Sequence, residues 1–569
     1  MKLLSAFLAL FLFVSFTNVK APAEAKSFTL SQVNSSGTAP HYYKYDASKN
    51  GFKSSRSDIL SPSYYVYAGN LTLDEAKQLM SNLGIVDNVN EWGSTIRFIN
   101  PLNPSGYGEK DAEVFIDLLS NEIVRNVKVI GIDEGATFVN NHLSDKGYAL
   151  AGIMLYGGSI DKNRSLGVAI PAYLSNPSEK VLSYYVKGNA ATEKSSPDKT
   201  IKSYVNEKDE YKQVIASTQR ESLSEAFQNA WKKVFLKNYR MHNEVTEFYN
   251  SNPKDYTNEY PLTGIPLFED LHLTYNQMID QPVNGTGMYM WYEYVPSDIK
   301  TFTEKTVPLI VTLHGTGNDP RIQGDTSGWT ELASKEKFIV VSPEWEDKSK
   351  NFNHNDGLGD AGVASLVKEL QKKYPQIDPS RTYITGLSAG GSKTSLYGVK
   401  YSNIFAAAAA VSAPGVDKKE ITEISKNYKG GAVPFMYVCG DHDYLQMIPV
   451  DGSSKYGKPG KFEEDPNVSM FEVIQAYQRI NKLEVSGTYD MSVNEYYGVQ
   501  LDDQKWSKLG DKDMYIGTLS NDQGVVVMKL AAIKDLAHWN YKPEAELMWN
   551  FLKNYQRDIA SGELVVSKH

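Results

Sequence analysis

Residues 378–391 read DPSRTYITGLSAGG, and this stretch decides the fold of the C-terminal half of the chain. Residues 382–385 have the β-branched and aromatic composition of a buried strand, and the polar residues 378–381 before them predict a turn. Ser388 then has a glycine two positions to either side, and a helix-compatible stretch follows. A serine at a tight turn between a strand and a helix has a strained backbone, and only very small neighbours avoid a clash there. The pattern therefore predicts that Ser388 lies at the end of a strand and the start of a helix.

Three further windows of the C-terminal half repeat this organisation. Each is short and apolar, rich in β-branched or aromatic residues, and ends at glycine or proline. Residues 360–374 between them have apolar residues at helical spacing and stop before a proline. Strands that alternate with helices predict an α/β domain with a mostly parallel sheet and helices on both faces. The windows are residues 307–313 before His314-Gly315, residues 338–341 before Ser342-Pro343, and residues 433–438 before Cys439-Gly440.

The predicted turn makes Ser388 a candidate nucleophile for acyl transfer. It also places the backbone N–H of Ala389 at a helix N-terminus, where that group can stabilise a developing oxyanion. In folds with this type of serine turn, a second N–H comes from a loop after an earlier strand. The loop His314-Gly315-Thr316-Gly317 has that position, with Thr316 as the preferred donor and Gly317 as the alternative.

The general base and its acid partner follow from chain order, because the acid and the histidine come after the serine in such folds. Only His442, His538 and His569 follow Ser388 among the nine histidines of the chain. His442 lies inside the turn predicted to carry the acid and His569 is the last residue, so His538 is the predicted base. Two carboxylates follow the strand at residues 433–438. We prefer Asp443 as the acid and keep Asp441 as the alternative.

These residues resemble the extracellular polyhydroxybutyrate depolymerases and the related feruloyl and acetyl xylan esterases. The resemblance rests on residues 378–391, on Leu313-His314-Gly315 upstream, and on Gly440-x-x-Asp443 and His538-Trp539 downstream. It covers about residues 284–555. It implies an α/β-hydrolase fold, no cofactor, and hydrolysis of carboxylic esters by Ser388, Asp443 and His538.

The N-terminal half contains an echo of the serine turn. Residues 127–141 read VKVIGIDEGATFVNN, with Asp133 at the position that Ser388 has in the later motif, and residues 148–156 predict the next strand. We therefore expect an N-terminal α/β domain that is a degenerate α/β-hydrolase-like duplicate. An aspartate can act as a covalent nucleophile. No convincing acid and histidine pair follows Asp133, however, so a scaffold or substrate-binding role is favoured.

The predicted organisation is a signal peptide at residues 1–25, an N-terminal α/β domain at 26–265 and a catalytic domain at 266–569. The signal peptide is indicated by Lys2, the apolar run at residues 3–16 and the small-residue site Ala23-Glu24-Ala25. We expect an extracellular protein that does not associate with a membrane after cleavage. At 569 residues the chain is also too long for one ordinary domain.

The charge and composition of the chain restrict the kinds of molecule that it is expected to bind. A formal net charge of −9 gives no general attraction to nucleic acid or anionic lipid. Cys439 is the single cysteine and the histidines are dispersed, so no metal site is predicted, although a structural Ca²⁺ at an Asp-rich loop stays open. The expected partner is an ester substrate, with polymeric and glycan-linked esters among the options, and the oligomeric state is undetermined.

Two alternative functions fit the same sequence. A serine peptidase of the same fold would use residues 445–537 to shape a peptide-binding lid. A catalytically inactive module would instead bind a cell surface or a polymer.

Overall fold

The computed structural model describes residues 28–33, 41–53, 60–120, 126–161, 163–196, 198–241, 261–264, 268, 270–283, 285–346, 360–443, 448 and 470–567. The predicted signal peptide and the predicted domain boundary at residues 265 and 266 lie outside these ranges. None of the helices in the described residues combines the length and the apolar composition that crossing a bilayer requires.

Two large mixed sheets dominate the structure, and each has ten strands. The order in the first sheet is β1-β2-β4-β3-β5-β6-β7-β10-β9-β8, in which β4, β3, β5, β6, β7 and β10 run parallel. These strands are β1 Ser31–Val33, β2 Tyr42–Asp46, β3 Ser63–Tyr67, β4 Thr95–Ile99, β5 Val127–Ile132, β6 Gly152–Tyr156, β7 Ala172–Ser175, β8 Thr192–Lys194, β9 Ile201–Val205 and β10 Gln213–Ser217.

The second sheet has the order β13-β14-β16-β15-β17-β18-β19-β22-β21-β20, with β16, β15, β17, β18, β19 and β22 parallel. Its strands are β13 Leu273–Met278, β14 Trp291–Pro296, β15 Val307–Leu313, β16 Ile339–Pro343, β17 Ile377–Leu387, β18 Ala407–Val411, β19 Phe435–Gly440, β20 Asp503–Leu509, β21 Lys512–Ser520 and β22 Val526–Ile533. Two small antiparallel pairs complete the strands of the described residues: β11 Asn238–Arg240 with β12 Leu262–Gly264, and β23 Tyr555–Arg557 with β24 Leu564–Val566.

The two large sheets have the same topology. Each strand of the first has a counterpart at the same place in the second, and the parallel and antiparallel neighbours also correspond. The chain therefore has two sheet-and-helix domains of one architecture, and the C-terminal one has the predicted α/β-hydrolase fold.

The described residues form thirteen α-helices. They are α1 Leu73–Leu83, α2 Val86–Glu91, α3 Glu109–Ser120, α4 Glu134–Asn141, α5 Glu179–Gly188, α6 Leu223–Ala230, α7 Pro320–Thr326, α8 Trp329–Glu336, α9 Asp360–Lys373, α10 Ala389–Lys400, α11 Lys418–Lys426, α12 Phe471–Ile480 and α13 Pro543–Leu552.

Residues 378–381 are not a turn that precedes the strand, as the sequence suggested, but lie within β17. The register pairs Val307 with Ile377 and Leu309 with Thr382, so these four residues lie opposite Pro308 alone. They bulge out of the ladder, and the Asp378 carboxylate accepts hydrogen bonds from the Ser380 backbone and hydroxyl at 2.9 and 2.7 Å. The Asp378 carboxylate thus makes the hydrogen bonds of a turn, while strand pairing continues on both sides of the bulge.

Helix α10, which begins after Ser388, lies in the interior of the C-terminal domain. Its residues 389–399 are all buried, and small residues allow it to approach the sheet closely. A Cβ atom added at Gly391 would lie 2.8 Å from the Val411 carbonyl oxygen, and one at Gly398 would lie 2.8 Å from the Ala408 side chain. The helix therefore gives the serine turn a rigid support.

One of the hydrophobic clusters extends through both domains. It contains Tyr64 and Ile215 of the first sheet as well as Ile310 and Tyr383 of the second. Two further clusters each belong to one domain. The domains thus share buried apolar contacts in addition to having their own cores.

Candidate active site

Ser388 lies at a strained turn between β17 and α10. Its backbone angles are φ 57° and ψ −123°, which a non-glycine residue rarely adopts. A Cβ atom at Gly386 would come within 2.6 Å of the Gly390 carbonyl oxygen, and one at Gly390 within 2.4 Å of the His314 carbonyl oxygen. Both positions therefore require glycine, and the predicted strand-serine-helix turn is confirmed.

His538 and Asp443 form a buried pair. The Nδ1 atom of His538 lies 2.6 Å from Oδ2 of Asp443, and their side chains are 7% and 1% exposed. Burial raises the pKa of the adjacent Cys439 thiol well above its ordinary value, so this group stays neutral beside the carboxylate. With Nδ1 facing Asp443, Nε2 is the ring nitrogen placed to exchange a proton with a nucleophile.

Asp441 has a different role from Asp443. Its Oδ1 atom contacts Nδ1 of His442 at 2.7 Å and accepts the backbone N–H of Asp535 at 2.7 Å. Asp441 therefore braces the turn that follows β19, while Asp443 faces His538. The sequence left Asp443 and Asp441 open as the acid, and this geometry favours Asp443.

The second large sheet places Ser388, Asp443 and His538 at one of its edges. Hydrogen bonds between successive strand ends run from Ser388 N–H to Val411 O at 2.9 Å, from Ser412 N–H to Val438 O at 2.8 Å, and from Asp441 N–H to Ile533 O at 3.0 Å. Ser388, Asp443 and His538 all follow the carboxyl ends of parallel strands. Within the described ranges no hydrogen bond joins the Ser388 hydroxyl to His538. Such contacts are often long without substrate and shorten in the reacting complex.

The loop after β15 lies directly against the serine. A Cβ atom added at Gly315 would be 3.2 Å from the Ser388 Cβ atom. The Gly315 carbonyl faces Nδ1 of His314 at 2.9 Å and accepts the Asn318 N–H at 3.1 Å. Because a trans peptide directs its C=O and N–H groups to opposite sides, these bonds fix the Thr316 N–H away from His314.

Gly317 is less suited to act as the oxyanion donor. Its N–H donates to the Glu346 carboxylate at 3.3 Å. The preferred donors thus remain the Thr316 N–H and the Ala389 N–H, which belongs to the first turn of α10 and has no partner within that helix.

Two buried glutamates that the sequence analysis did not identify hold His314. Nε2 of His314 lies 2.8 Å from Glu344, and Glu346 lies close by, on the segment that follows β16. Burial alone would lower the pKa of His314, but the two carboxylates outweigh it and the pKa is raised. The signal was available, since residues 344 and 346 follow a strand that ends at the same sheet edge.

Among the residues that the structure describes, two groups of side chains each bring three potential metal ligands within 4.8 Å of one another. They are His314, Glu344 and Glu346, and Asp441, His442 and Asp535. In the first group both ring nitrogens of His314 already have oxygen partners, and in the second Nδ1 of His442 contacts Asp441. We interpret both groups as hydrogen-bonded supports of the surrounding loops.

Residues 537–542, here called the base loop, carry His538 and are hydrogen-bonded to helix α7. The Asn540 amide donates to Gln323 and Thr326 of α7, at 3.1 Å in both cases. Gln323 in turn donates to the Thr312 hydroxyl of β15 at 3.0 Å. This network, which the sequence analysis missed, links the base to the strand that precedes the candidate oxyanion loop.

Helix α13 follows the base loop and contains a buried acid, Glu544. It is 2% exposed, and one of its oxygens accepts the Tyr541 N–H at 3.1 Å. Burial raises the pKa of Glu544 to about 8. The unfolded chain releases this proton near pH 4.3. The folded protein keeps it until about pH 8, so this group lowers stability progressively as the pH rises between those values.

We predict that Glu544→Gln removes this pH dependence, because glutamine cannot ionise. The melting temperature of the variant should exceed that of the wild type by about 5 °C at pH 8 and match it near pH 5. Thermal melting at both pH values measures the difference. Glu546→Gln, an exposed position of the same helix, is the matched control and should show no such pH-dependent gain. An equal gain at both pH values would show that Glu544 is ionised in the folded protein.

The N-terminal domain repeats the serine turn without the rest of the site. Asp133 has φ 49° and ψ −105°, close to the angles of Ser388, and lies between β5 and α4. Strand β7 leads into Asn176, and β10 leads into residues 218–221, which contain no histidine. Glu221 there accepts hydrogen bonds from Tyr173, Ser175 and Asn229. The strand ends thus provide no acid and histidine pair for Asp133.

Comparisons with known proteins support the resemblance found in the sequence. Residues 293–424 match the family model described as Esterase PHB depolymerase. The matched segment contains Ser388, Ala389 and Thr316 and ends before Asp443 and His538. The predicted similarity to the polyhydroxybutyrate depolymerase and feruloyl esterase-like family is confirmed.

Two curated relatives and one solved structure illustrate this similarity. Poly(3-hydroxyalkanoate) depolymerase C of Paucimonas lemoignei is 33% identical over 134 residues, which are 22% of this chain and 31% of that protein. A bifunctional acetylxylan esterase/xylanase of Neocallimastix patriciarum is 31% identical over 194 residues, which are 31% of this chain and 27% of that protein. The chain thus spans about a third of the length of these relatives. The acetyl xylan esterase structure from Aspergillus awamori covers 49% of this chain and 99% of its own, with 18% identity and a TM-score of 0.33.

Proposed function

We propose that the chain is a secreted serine hydrolase of carboxylic esters, with Ser388 as nucleophile, His538 as general base and Asp443 as the acid that orients it. The observation that carries the proposal is the strained Ser388 turn at the same sheet edge as the buried Asp443 and His538 pair. A buried carboxylate on Nδ1 fixes the tautomer and orientation that the base needs.

In the proposed reaction His538 Nε2 takes the proton of the Ser388 hydroxyl while the serine oxygen attacks the ester carbonyl carbon. The N–H groups of Thr316 and Ala389 stabilise the tetrahedral oxyanion, and each such donor contributes about 3 kcal/mol. The ester C–O bond then breaks and the alcohol leaves with the proton from His538. Water, activated by His538, attacks the acyl-enzyme and releases the acid and the free serine. The nucleophile, the base, its acid partner and the oxyanion donors are all groups of the chain, and water is the second substrate.

The proposed substrates are short-chain, polyester or plant-polysaccharide esters. The support is the similarity to a poly(3-hydroxyalkanoate) depolymerase and to acetylxylan esterases. Export is proposed from the signal-like pattern of the first 25 residues.

Covalent labelling together with substrate turnover tests both the serine mechanism and the functional class, which is esterase, peptidase or binding module. We expect a fluorophosphonate probe to modify the wild-type protein on Ser388, located by peptide mapping, and p-nitrophenyl acetate or butyrate to be hydrolysed. A panel of short-chain esters, acetylated and feruloylated xylan, amorphous polyhydroxybutyrate and peptides then identifies the substrate class. An unlabelled wild type would indicate a binding module, and turnover of peptides without esters would indicate a peptidase.

A further inference from the structure

The base loop contacts the N-terminal domain directly at Trp539 and at Lys542. The ring of Trp539 packs against Tyr239 of β11, with 6.3 Å between ring centroids, and both side chains are buried. The Lys542 ammonium lies 5.4 Å from the ring centroid of Tyr211 and 3.4 Å from its hydroxyl oxygen. Tyr211 belongs to the turn between β9 and β10.

Tyr541 reaches the same turn through one intermediate residue. Its hydroxyl donates to the Asp511 carboxylate at 2.7 Å, and Asp511 also accepts from Lys212 of the N-terminal domain at 2.5 Å. Burial alone would raise the pKa of Asp511, but Lys212 and Tyr541 outweigh it and the pKa is lowered, so this carboxylate is ionised at neutral pH. The ion pair is partly buried, with exposed fractions of 18% and 16%.

Trp539 and Lys542 thus contact the N-terminal domain directly, and Tyr541 reaches it through Asp511. The C-terminal domain also holds this loop, because Asn540 is bonded to α7, Tyr541 contacts the Leu509 carbonyl and Lys542 pairs with Glu331 of α8. A histidine on a loop acts as a base only while its position is held within a fraction of an ångström, and displacement by about 1 Å costs on the order of 100-fold in rate. Loops are mobile unless such contacts fix them.

We propose that the N-terminal domain serves the active site as a brace for the base loop, with Tyr211, Lys212 and Tyr239 as positioning residues for His538. This inference rests on the proposed function. It gives the duplicated domain a role that needs no chemistry at Asp133.

The test uses the full mature chain with Tyr211 and Lys212 both replaced by alanine. Tyr211 borders an open cleft of about 480 Å³ between the domains, so its truncation leaves a solvent-filled space and no sealed cavity. We expect kcat for p-nitrophenyl acetate to fall about 10-fold or more, with KM changed by less than about 2-fold, because substrate contacts are intact while the base is misplaced. The conservative pair Tyr211→Phe and Lys212→Arg, which keeps the ring and the charge, should restore kcat to within about 3-fold of the wild type.

The matched control replaces Lys202 and Tyr204 by alanine on β9. Tyr204 is half-buried like Tyr211, but it packs within the N-terminal domain. This pair should leave kcat within about 2-fold of the wild type. An unchanged kcat in the Tyr211 and Lys212 variant, or an equal loss in the control, would overturn the proposal that the N-terminal domain braces the base loop.

Two further readouts separate the possible failures. If the double variant does not fold, Lys212→Met alone can be measured, because it removes the ion pair to Asp511. It should still lower kcat about 3-fold. An unchanged kcat in this variant would overturn the proposal that the N-terminal domain braces the base loop. Loss of the proposed function has a different signature, since the wild type itself would then show no turnover that depends on Ser388. That outcome would overturn both proposals.

Discussion

Replacement of Ser388 by alanine is expected to lower kcat for p-nitrophenyl acetate on the order of 10⁵-fold, with KM changed by less than about 3-fold. The hydroxyl is the proposed nucleophile, and no other group of the site can form the acyl-enzyme. The residual rate would come from the oxyanion donors and from substrate binding, which alanine leaves in place. Steady-state kinetics on the purified variant, with wild-type contamination excluded by active-site titration, give the measurement.

Ser392→Ala is the matched control for this loss. Ser392 lies one turn further along α10, is 1% exposed, and its hydroxyl has no hydrogen-bond partner in the described residues. Its removal should change kcat by less than about 2-fold, because no bond is lost. A Ser388→Ala variant with more than about a tenth of the wild-type kcat, or an equal loss in the control, would mean that Ser388 is not the nucleophile.

The parts of the site that the sequence predicts are those determined by local sterics and chain order. The glycines at 386 and 390 are required by backbone atoms within 3 Å, so their spacing around a serine is visible without the fold. His538 was predicted because few histidines follow the serine. The echo at Asp133 was visible for the same steric reason, and the shared strand order of the two sheets agrees with it.

What the sequence did not predict depends on contacts between distant residues. Asn540 and Gln323 are 217 positions apart, and Lys542 and Tyr211 are 331 positions apart, so no periodicity or motif joins them. Glu344 and Glu346 follow a predicted strand, but their pairing with His314 depends on β15 and β16 lying side by side in the sheet. Pairing across a sheet and between domains is set by the whole fold rather than by neighbours in sequence.

The choice between Asp441 and Asp443 also depends on contacts that the sequence does not predict, because both residues follow β19 and only the direction of their side chains separates them. We predict that Asp443→Asn lowers kcat about 10⁴-fold, since an amide beside Nδ1 no longer stabilises the imidazolium and favours the wrong tautomer. The fold should be retained, because asparagine has nearly the same size. Steady-state kinetics together with thermal melting separate the loss of activity from a loss of stability.

Asp441→Asn should give the opposite pattern. Its carboxylate holds His442 and the Asp535 N–H in the turn, so the substitution is expected to lower the melting temperature by about 2–4 °C while kcat falls by less than about 10-fold. Because the two substitutions are chemically identical and only two positions apart, their difference isolates the direction in which each carboxylate points. A larger kcat loss at position 441 than at 443 would assign the acid to Asp441, and the 2.6 Å contact of Asp443 with His538 would then be structural only.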